Sequence, residues 1–162
     1  MATTQAVDAK YVNPFIAAAA SAVMTLCGVE TQRGVPYVQS PTHPRSYDLS
    51  GGVTLTGQIT GLATINFTRP VICSLVTKML DEPVTTIDQS VRDAVSKMAT
   101  LMAETAKQQL QEADTELKVS SPLIIAGHYQ SHNYPLGVPC IIVPFKIASG
   151  AFTIEVAVRA GK

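Results

Sequence analysis

Apolar and polar positions along the first part of the chain predict a buried helix and then a short strand. Asn13-Pro14 is a typical helix start, because Asn caps a helix well and Pro fits its first turn. The run that follows is apolar nearly all round, which predicts a buried helix over Phe15–Cys27, ended by Gly28. We expect a short strand at Val35–Val38.

Two strand-like runs follow a loop that is rich in Pro and Ser. They span Ser46–Thr56 and Gln58–Phe67, and they meet at Gly57, which suits a tight hairpin. Pro70 then begins a short helix that extends to Leu80.

The second half of the chain contains the longest helix and more strands. Helical periodicity extends over Asp88–Ala113, and strands are expected at Leu117–Val119, Leu123–Tyr129, Val138–Ile147 and Ala151–Val158. The order helix, strands, two helices, strands predicts an α+β fold. We expect a duplication of two α-β units, with an antiparallel sheet packed against long helices. Because 162 residues suit one domain, residues 1–162 are expected to form a single domain, with 1–9 loosely ordered.

Six polar residues form a stripe along the longest helix. At about 100° per residue, they lie within about 40° of one line over roughly five turns. This stripe, the polar seam, consists of Asp93, Lys97, Thr100, Glu104, Lys107 and Gln111. The opposite side is apolar and consists of Val91, Val95, Met98, Leu101 and Met102. Periodicity alone favours a solvated helix face, supported by i,i+4 pairs such as Asp93–Lys97, over a contact surface.

The charge balance limits the possible partners. Twelve basic residues face twelve acidic ones, and charged residues make up only 15% of the chain. Nucleic-acid and anionic-membrane binders usually carry a basic excess, so neither class is favoured. So few charges also suggest that some surface is hidden in an interface, as in a homodimer. Because four of the charges lie on the polar seam, the composition favours the seam as a contact surface.

The usual chemical motifs are missing from the sequence. Cys27, Cys73 and Cys140 are far apart in apolar runs with no CxxC spacing, which indicates buried thiols in a reducing compartment. His128 and His132 fall at a strand end and in a loop, which favours a surface pair over a metal site. We therefore expect neither a metal nor a cofactor. The apolar helix is too short to span a bilayer and lacks a positive flank, so a cytoplasmic protein is expected.

Several segments together resemble the CheX-like chemotaxis phosphatases of the CheC/CheX/FliY group. They cover nearly the whole chain in the right order, although each motif alone is short. They are Tyr11-Val12-Asn13-Pro14-Phe15-Ile16, Asp93-Ala94-Val95 with the run through Ala106-Lys107, Pro122–His128, and Val138–Val158 with Ile142-Val143-Pro144-Phe145.

The resemblance implies a CheC-like fold, a homodimer and a partner, the phosphorylated response regulator CheY. It also implies removal of the aspartyl phosphate by a helix motif Asp/Ser-x3-Glu-x2-Asn. In that family the Asn amide positions the attacking water and the Glu anchors a regulator lysine, which is catalysis by orientation. Any Mg2+ belongs to the regulator.

The catalytic motif is altered where the resemblance places it. Asp93 matches the first position, but Lys97 stands where Glu is expected and Thr100 where Asn is expected. Lys97 would repel the regulator lysine, and Thr100 is shorter than Asn and lacks the amide. We therefore predict a CheX-like signalling domain with a degenerate catalytic motif at Asp93, Lys97 and Thr100. We expect it to bind a response regulator or another signalling protein through the polar seam.

Two other functions fit the sequence. One is an active phosphatase of a phosphorylated response regulator that uses an altered site, with Thr100, Glu104 or Gln111. The other is a structural homodimer with no regulator partner.

Overall fold

A computed structural model of the chain describes residues 9–38, 47–129 and 139–160. Its elements follow the predicted order of a helix, strands, two helices and strands. They are α1 (Ala9–Cys27), β1 (Gln32–Arg33), β2 (Tyr37–Val38), β3 (Tyr47–Gly57), β4 (Ile59–Phe67), α2 (Arg69–Leu80), α3 (Gln89–Glu112), β5 (Leu117–Val119), β6 (Leu123–Tyr129), β7 (Ile141–Ile147) and β8 (Gly150–Ala160).

The described strands form one eight-stranded antiparallel sheet. Its order is β1-β7-β8-β4-β3-β5, with β2 also pairing with β7 and β6 with β3. The two halves of the chain therefore exchange edge strands: β1 and β2 join β7, and β5 and β6 join β3. The long strands β4 and β8 pair at the centre from Ile59↔Ala160 to Asn66↔Thr153. This symmetric order confirms the α+β fold and agrees with two related α-β units.

All three helices contribute to one core with a single face of the sheet. Alternate residues of β4 and β8 point into it, among them Ile65, Phe67 and Ile154. The small aromatic content predicts an aliphatic core, yet aromatic rings lie at its centre. The Phe152 ring lies 5.2 Å from Phe67 and 5.1 Å from Phe145, measured between ring centroids.

The predicted start of the first helix is wrong. α1 begins at Ala9, so Pro14 lies inside the helix rather than in its first turn. Pro14 removes one N–H donor from the helix. Burial of Val12, which is 5% exposed, and packing of Tyr11 against the core stabilise the additional turn.

Smaller differences concern strand ends and the described range. Of the strand expected at Val35–Val38, only β2 (Tyr37–Val38) is present, and β1 (Gln32–Arg33) was not predicted. β7 begins at Ile141 rather than at residue 138. Residues 1–8 of the predicted loose start at 1–9 lie outside the described residues, whereas Ala9 is already part of α1. Residue 138, where the predicted strand begins, also lies outside the described residues. Among the helices of the described residues, none is long and apolar enough to cross a membrane.

α3 approaches the sheet closely where β3 carries Gly51. A Cβ atom on Gly51 would lie 2.9 Å from Val95 Cγ1 and 3.1 Å from Ala99 Cβ, so only glycine fits without movement of the helix. The helix also packs against α1. Its fully or nearly fully buried residues include small ones that the apolar pattern does not single out: Ala94, Ala99, Ala103 and Ala106.

We predict that Gly51→Ala lowers the free energy of unfolding by about 1–3 kcal/mol, because an added methyl overpacks the contact between β3 and α3. Gly52→Ala is the matched control. Its Cβ would meet the Thr64 Cγ2 at 3.1 Å on the other face, with no backbone atom closer than 3.7 Å. Urea denaturation of both variants measures the difference, and equal losses would contradict the assigned packing.

Candidate functional site

The polar seam lies on α3, and the capping residue Asp88 determines where this helix begins. The Asp88 side chain accepts hydrogen bonds from the Val91 amide at 3.2 Å and from the Ser90 hydroxyl at 2.5 Å. These two hydrogen bonds lower the pKa of the Asp88 carboxyl, and the bond from Ser90 has the larger effect. At the other end, Asp114 adopts a left-handed conformation with φ 65°, which ends the helix after Glu112.

The structure brings all six predicted seam residues to one face of α3. Lys107 is half-buried, and the others are exposed: Asp93, Lys97, Thr100, Glu104 and Gln111. Of the apolar side, Leu101 is half-buried and the rest is buried: Val91, Val95, Met98 and Met102. From Asp93 to Gln111 the seam extends about 27 Å at 1.5 Å per residue. It is therefore long enough to contact the surface of a second protein.

The charged residues of the polar seam do not form the ion pair that their spacing along the helix suggests. The Asp93 Oδ1 accepts a hydrogen bond from the Gln89 Nε2 at 2.8 Å, toward the start of the helix. The expected Asp93–Lys97 pair is absent, and the Lys97 ammonium group forms no ion pair within the described residues. Lys97 therefore presents a positive charge to the solvent.

Lys97 and Thr100 form the middle of the seam. Their side chains leave the helix about 60° apart and about 4.5 Å apart along its axis. Both are exposed, and both carry hydrogen-bond donors, an ammonium group and a hydroxyl. This pair can bind an anion, whereas neither residue offers a carboxylate or a side-chain amide.

A groove of about 1100 Å³ lies at the C-terminal end of the seam. Lys107 and Gln111 of α3 line it, together with Lys10 and Tyr11 of α1 and Lys118 of β5. The Lys10 Nζ lies 5.0 Å from the centre of the Tyr11 ring. Thr100 is about 10 Å along the helix from Lys107, so the groove is separate from the Lys97–Thr100 pair. Residue spacing along the chain does not indicate this groove, because its walls come from distant segments.

A second polar cluster lies on the face of the sheet opposite the helices. The Tyr47 hydroxyl donates to the Glu155 Oε2 at 3.0 Å and accepts from the Thr153 hydroxyl at 2.8 Å. The Asn66 Nδ2 in turn donates to the Thr153 hydroxyl at 3.3 Å. Glu155 is 0% exposed. The alternation along β8 places Glu155 on the sheet face away from the helices. It does not indicate that the Glu155 side chain is buried on that face.

The cysteines are buried free thiols, as predicted. Burial raises the pKa of Cys27 to about 11, so this thiol stays protonated and weakly reactive at neutral pH. Burial is also the main cause of a raised pKa at Cys73. His132 and the side chain of His128 lie outside the described residues. In the described part of the chain, no group of three His, Cys, Asp or Glu residues could hold a metal ion.

Comparison with known proteins identifies the family. Residues 49–146 match the family described as Chemotaxis phosphatase CheX. The chain belongs to the CheX family. The matched segment contains most of β3 and all of β4, α2 and α3, and therefore the whole polar seam. No curated protein sequence is significantly similar to the chain.

Solved structures of CheX and CheC-like proteins share the fold of this CheX family member. A CheC-like superfamily protein from Shewanella sp. PV-4 has a TM-score of 0.87 at 24% identity, covering 95% of this chain and all of its own. A chemotaxis protein CheX from Desulfovibrio desulfuricans has a TM-score of 0.83 at 27% identity, over 92% of this chain and 99% of its own.

A further similar structure contains a partner. It is the CheX-CheY-BeF3-Mg2+ complex from Borrelia burgdorferi, with a TM-score of 0.74 at 20% identity. The match covers 92% of this chain and 97% of the other.

We expect the stability of α3 to fall at acid pH through its Asp88 cap. The pKa of Asp88 is lowered in the folded chain, so its contribution is present above the ordinary value of 3.8 and is lost as the pH falls below it. Asp88→Asn keeps a capping oxygen but does not titrate. The advantage of the wild type over Asp88→Asn should therefore shrink on acidification through that value. Urea midpoints measured against pH test this, and a constant difference would contradict it.

Loss of the Tyr47 hydroxyl should destabilise the fold without changing the residues or the exposure of the polar seam. Tyr47→Phe removes a hydrogen bond to the buried Glu155 carboxylate and should lower the free energy of unfolding by about 1.5–3 kcal/mol. Tyr37, which is 49% exposed on β2, provides the control. Tyr37→Phe should change stability by less than about 0.5 kcal/mol. Thermal denaturation of both variants measures this, and similar melting temperatures would refute a structural role for the cluster.

Proposed function

We propose that this protein binds a CheY-like response regulator through the polar seam of α3 and does not dephosphorylate it rapidly. Membership of the CheX family supports the choice of partner, and so does the Borrelia burgdorferi complex of the same fold with CheY. The seam is the exposed face of the helix on which the family resemblance places its catalytic motif.

The exposure of Lys97 and Thr100 at the expected catalytic positions is the observation that carries the proposal. The resemblance implies a Glu that anchors a regulator lysine and an Asn that positions water. A lysine at the first position repels the regulator lysine instead. A threonine hydroxyl extends less far than a carboxamide and cannot hold water at the same distance from the helix. These two residues therefore do not support rapid orientation catalysis, whereas the length and exposure of the seam still offer a surface for docking.

In this proposal, the protein supplies no cofactor of its own. Mg2+ is named in the Borrelia burgdorferi complex, and we propose that the regulator holds the metal here as well. The cytoplasmic location and the homodimer remain predictions. Light scattering of the purified protein tests the homodimer.

The decisive experiment measures the decay of a phosphorylated CheY-like regulator from the same genome, with and without this protein. We expect the wild type to bind the regulator but not to accelerate the decay. Lys97→Glu combined with Thr100→Asn should accelerate it on the order of 10²-fold, because the double variant restores the anchoring acid and the amide. Lys78→Glu, a charge reversal at an exposed position of α2, is the matched control.

Two other outcomes assign a different function. Rapid decay with the wild type that Thr100→Ala abolishes would establish an active phosphatase with an altered site. If the protein binds no CheY-like regulator of the genome, the remaining alternative is a structural homodimer without a regulator partner. Binding without any gain in the double variant would mean that the docking geometry has also changed.

A further inference from the structure

The charge at the centre of the seam is free to meet an anion on a partner. The carboxylate that the spacing places beside Lys97, that of Asp93, accepts from the Gln89 Nε2 instead. Lys97 has no ion pair among the described residues. The next acid along the seam, Glu104, is two helical turns beyond Lys97, about 10 Å along the axis.

Lys97 and Thr100 together suit a group with several acceptor oxygens. The ammonium group has three donors and the hydroxyl has one, and both side chains are exposed on the same side of α3. A phosphoryl group offers three oxygens and a negative charge, so it can accept from both residues at once. The structure therefore favours an anionic group at the position where a phosphatase of this family would present an acid to a lysine.

We propose that Lys97 and Thr100 hold the phosphoryl group on the aspartate of a bound regulator and so protect it from hydrolysis. This inference rests on the proposed function, since it requires the regulator to dock on the seam. No bond is made or broken: the acyl phosphate remains on the aspartate while the complex lasts.

Protection follows from what the two residues do and do not stabilise. A cation at the phosphoryl oxygens stabilises the bound ground state as well as the transition state, and such uniform binding does not accelerate a reaction. Hydrolysis also requires a water molecule in line with the phosphorus atom. Neither Lys97 nor Thr100 supplies the amide that would position it, and the docked helix covers the approach from solvent.

The charges of the seam support a phosphorylated partner over an unphosphorylated one. Lys97 lies between Asp93 and Glu104, so the middle of the seam is positive and its flanks are negative. Phosphorylation adds negative charge opposite the positive part. A charge-assisted hydrogen bond from Lys97 should therefore strengthen binding by roughly tenfold or more.

The test uses a CheY-like regulator from the same genome, phosphorylated with radiolabelled acetyl phosphate. Its affinity is measured in both phosphorylation states, and the lifetime of its aspartyl phosphate is measured at a saturating concentration of this protein. We expect tighter binding of the phosphorylated form and a lifetime that is lengthened several-fold. Lys97→Gln should abolish both the preference for the phosphorylated form and the lengthened lifetime. Lys97→Arg should retain both, and so should the control Lys78→Gln.

Each contrary result has one interpretation. Equal affinity for both forms with an unchanged lifetime overturns protection and leaves regulator binding intact. Absence of any binding refutes the proposed function itself. A shortened lifetime overturns both proposals in favour of an active phosphatase. If inorganic phosphate alone binds tightly in a manner that Lys97→Gln abolishes, the seam is a free-phosphate site and the inference is wrong.

Discussion

The close contact of α3 with β3 and α1 determines the position of every candidate site residue. Gly51 leaves room for Val95 and Ala99 where the helix meets the sheet. Small buried residues elsewhere on α3, such as Ala103 and Ala106, permit similarly close packing. Because interiors are packed at crystal-like density, this contact fixes the rotation of α3 about its axis. The polar seam faces outward as a consequence of that rotation.

The two faces of the sheet have different roles. One carries the aliphatic and phenylalanine core beneath the helices. The other carries the hydrogen-bonded cluster of Tyr47, Thr153 and Asn66 around the buried Glu155. Buried polar groups need partners to avoid a large desolvation cost, so this cluster stabilises only the arrangement in which β3, β4 and β8 are in register. The cluster therefore contributes to stability from the face of the sheet opposite the candidate site.

The family fold and the chemistry at the seam support different parts of the function. CheX membership is the ground on which we propose a regulator partner. In that proposal, Lys97 and Thr100 determine what the domain does to its partner, because orientation catalysis tolerates little displacement of the positioning group. One turn of helix would then separate a phosphatase from a binding domain on one scaffold.

Periodicities of 3.6 and two residues are local properties of the chain, so the sequence alone predicted the α+β order, the long helix and the outward polar seam. It misplaced the start of α1, because the Asn13-Pro14 signal is local whereas burial of Val12 is not. The three-dimensional structure was needed to show that Asp93 contacts Gln89 rather than Lys97, that Glu155 is buried, and that Lys10 and Lys118 share a groove with Lys107. Each of these depends on a rotamer choice or on a contact between distant segments, which sequence spacing does not specify.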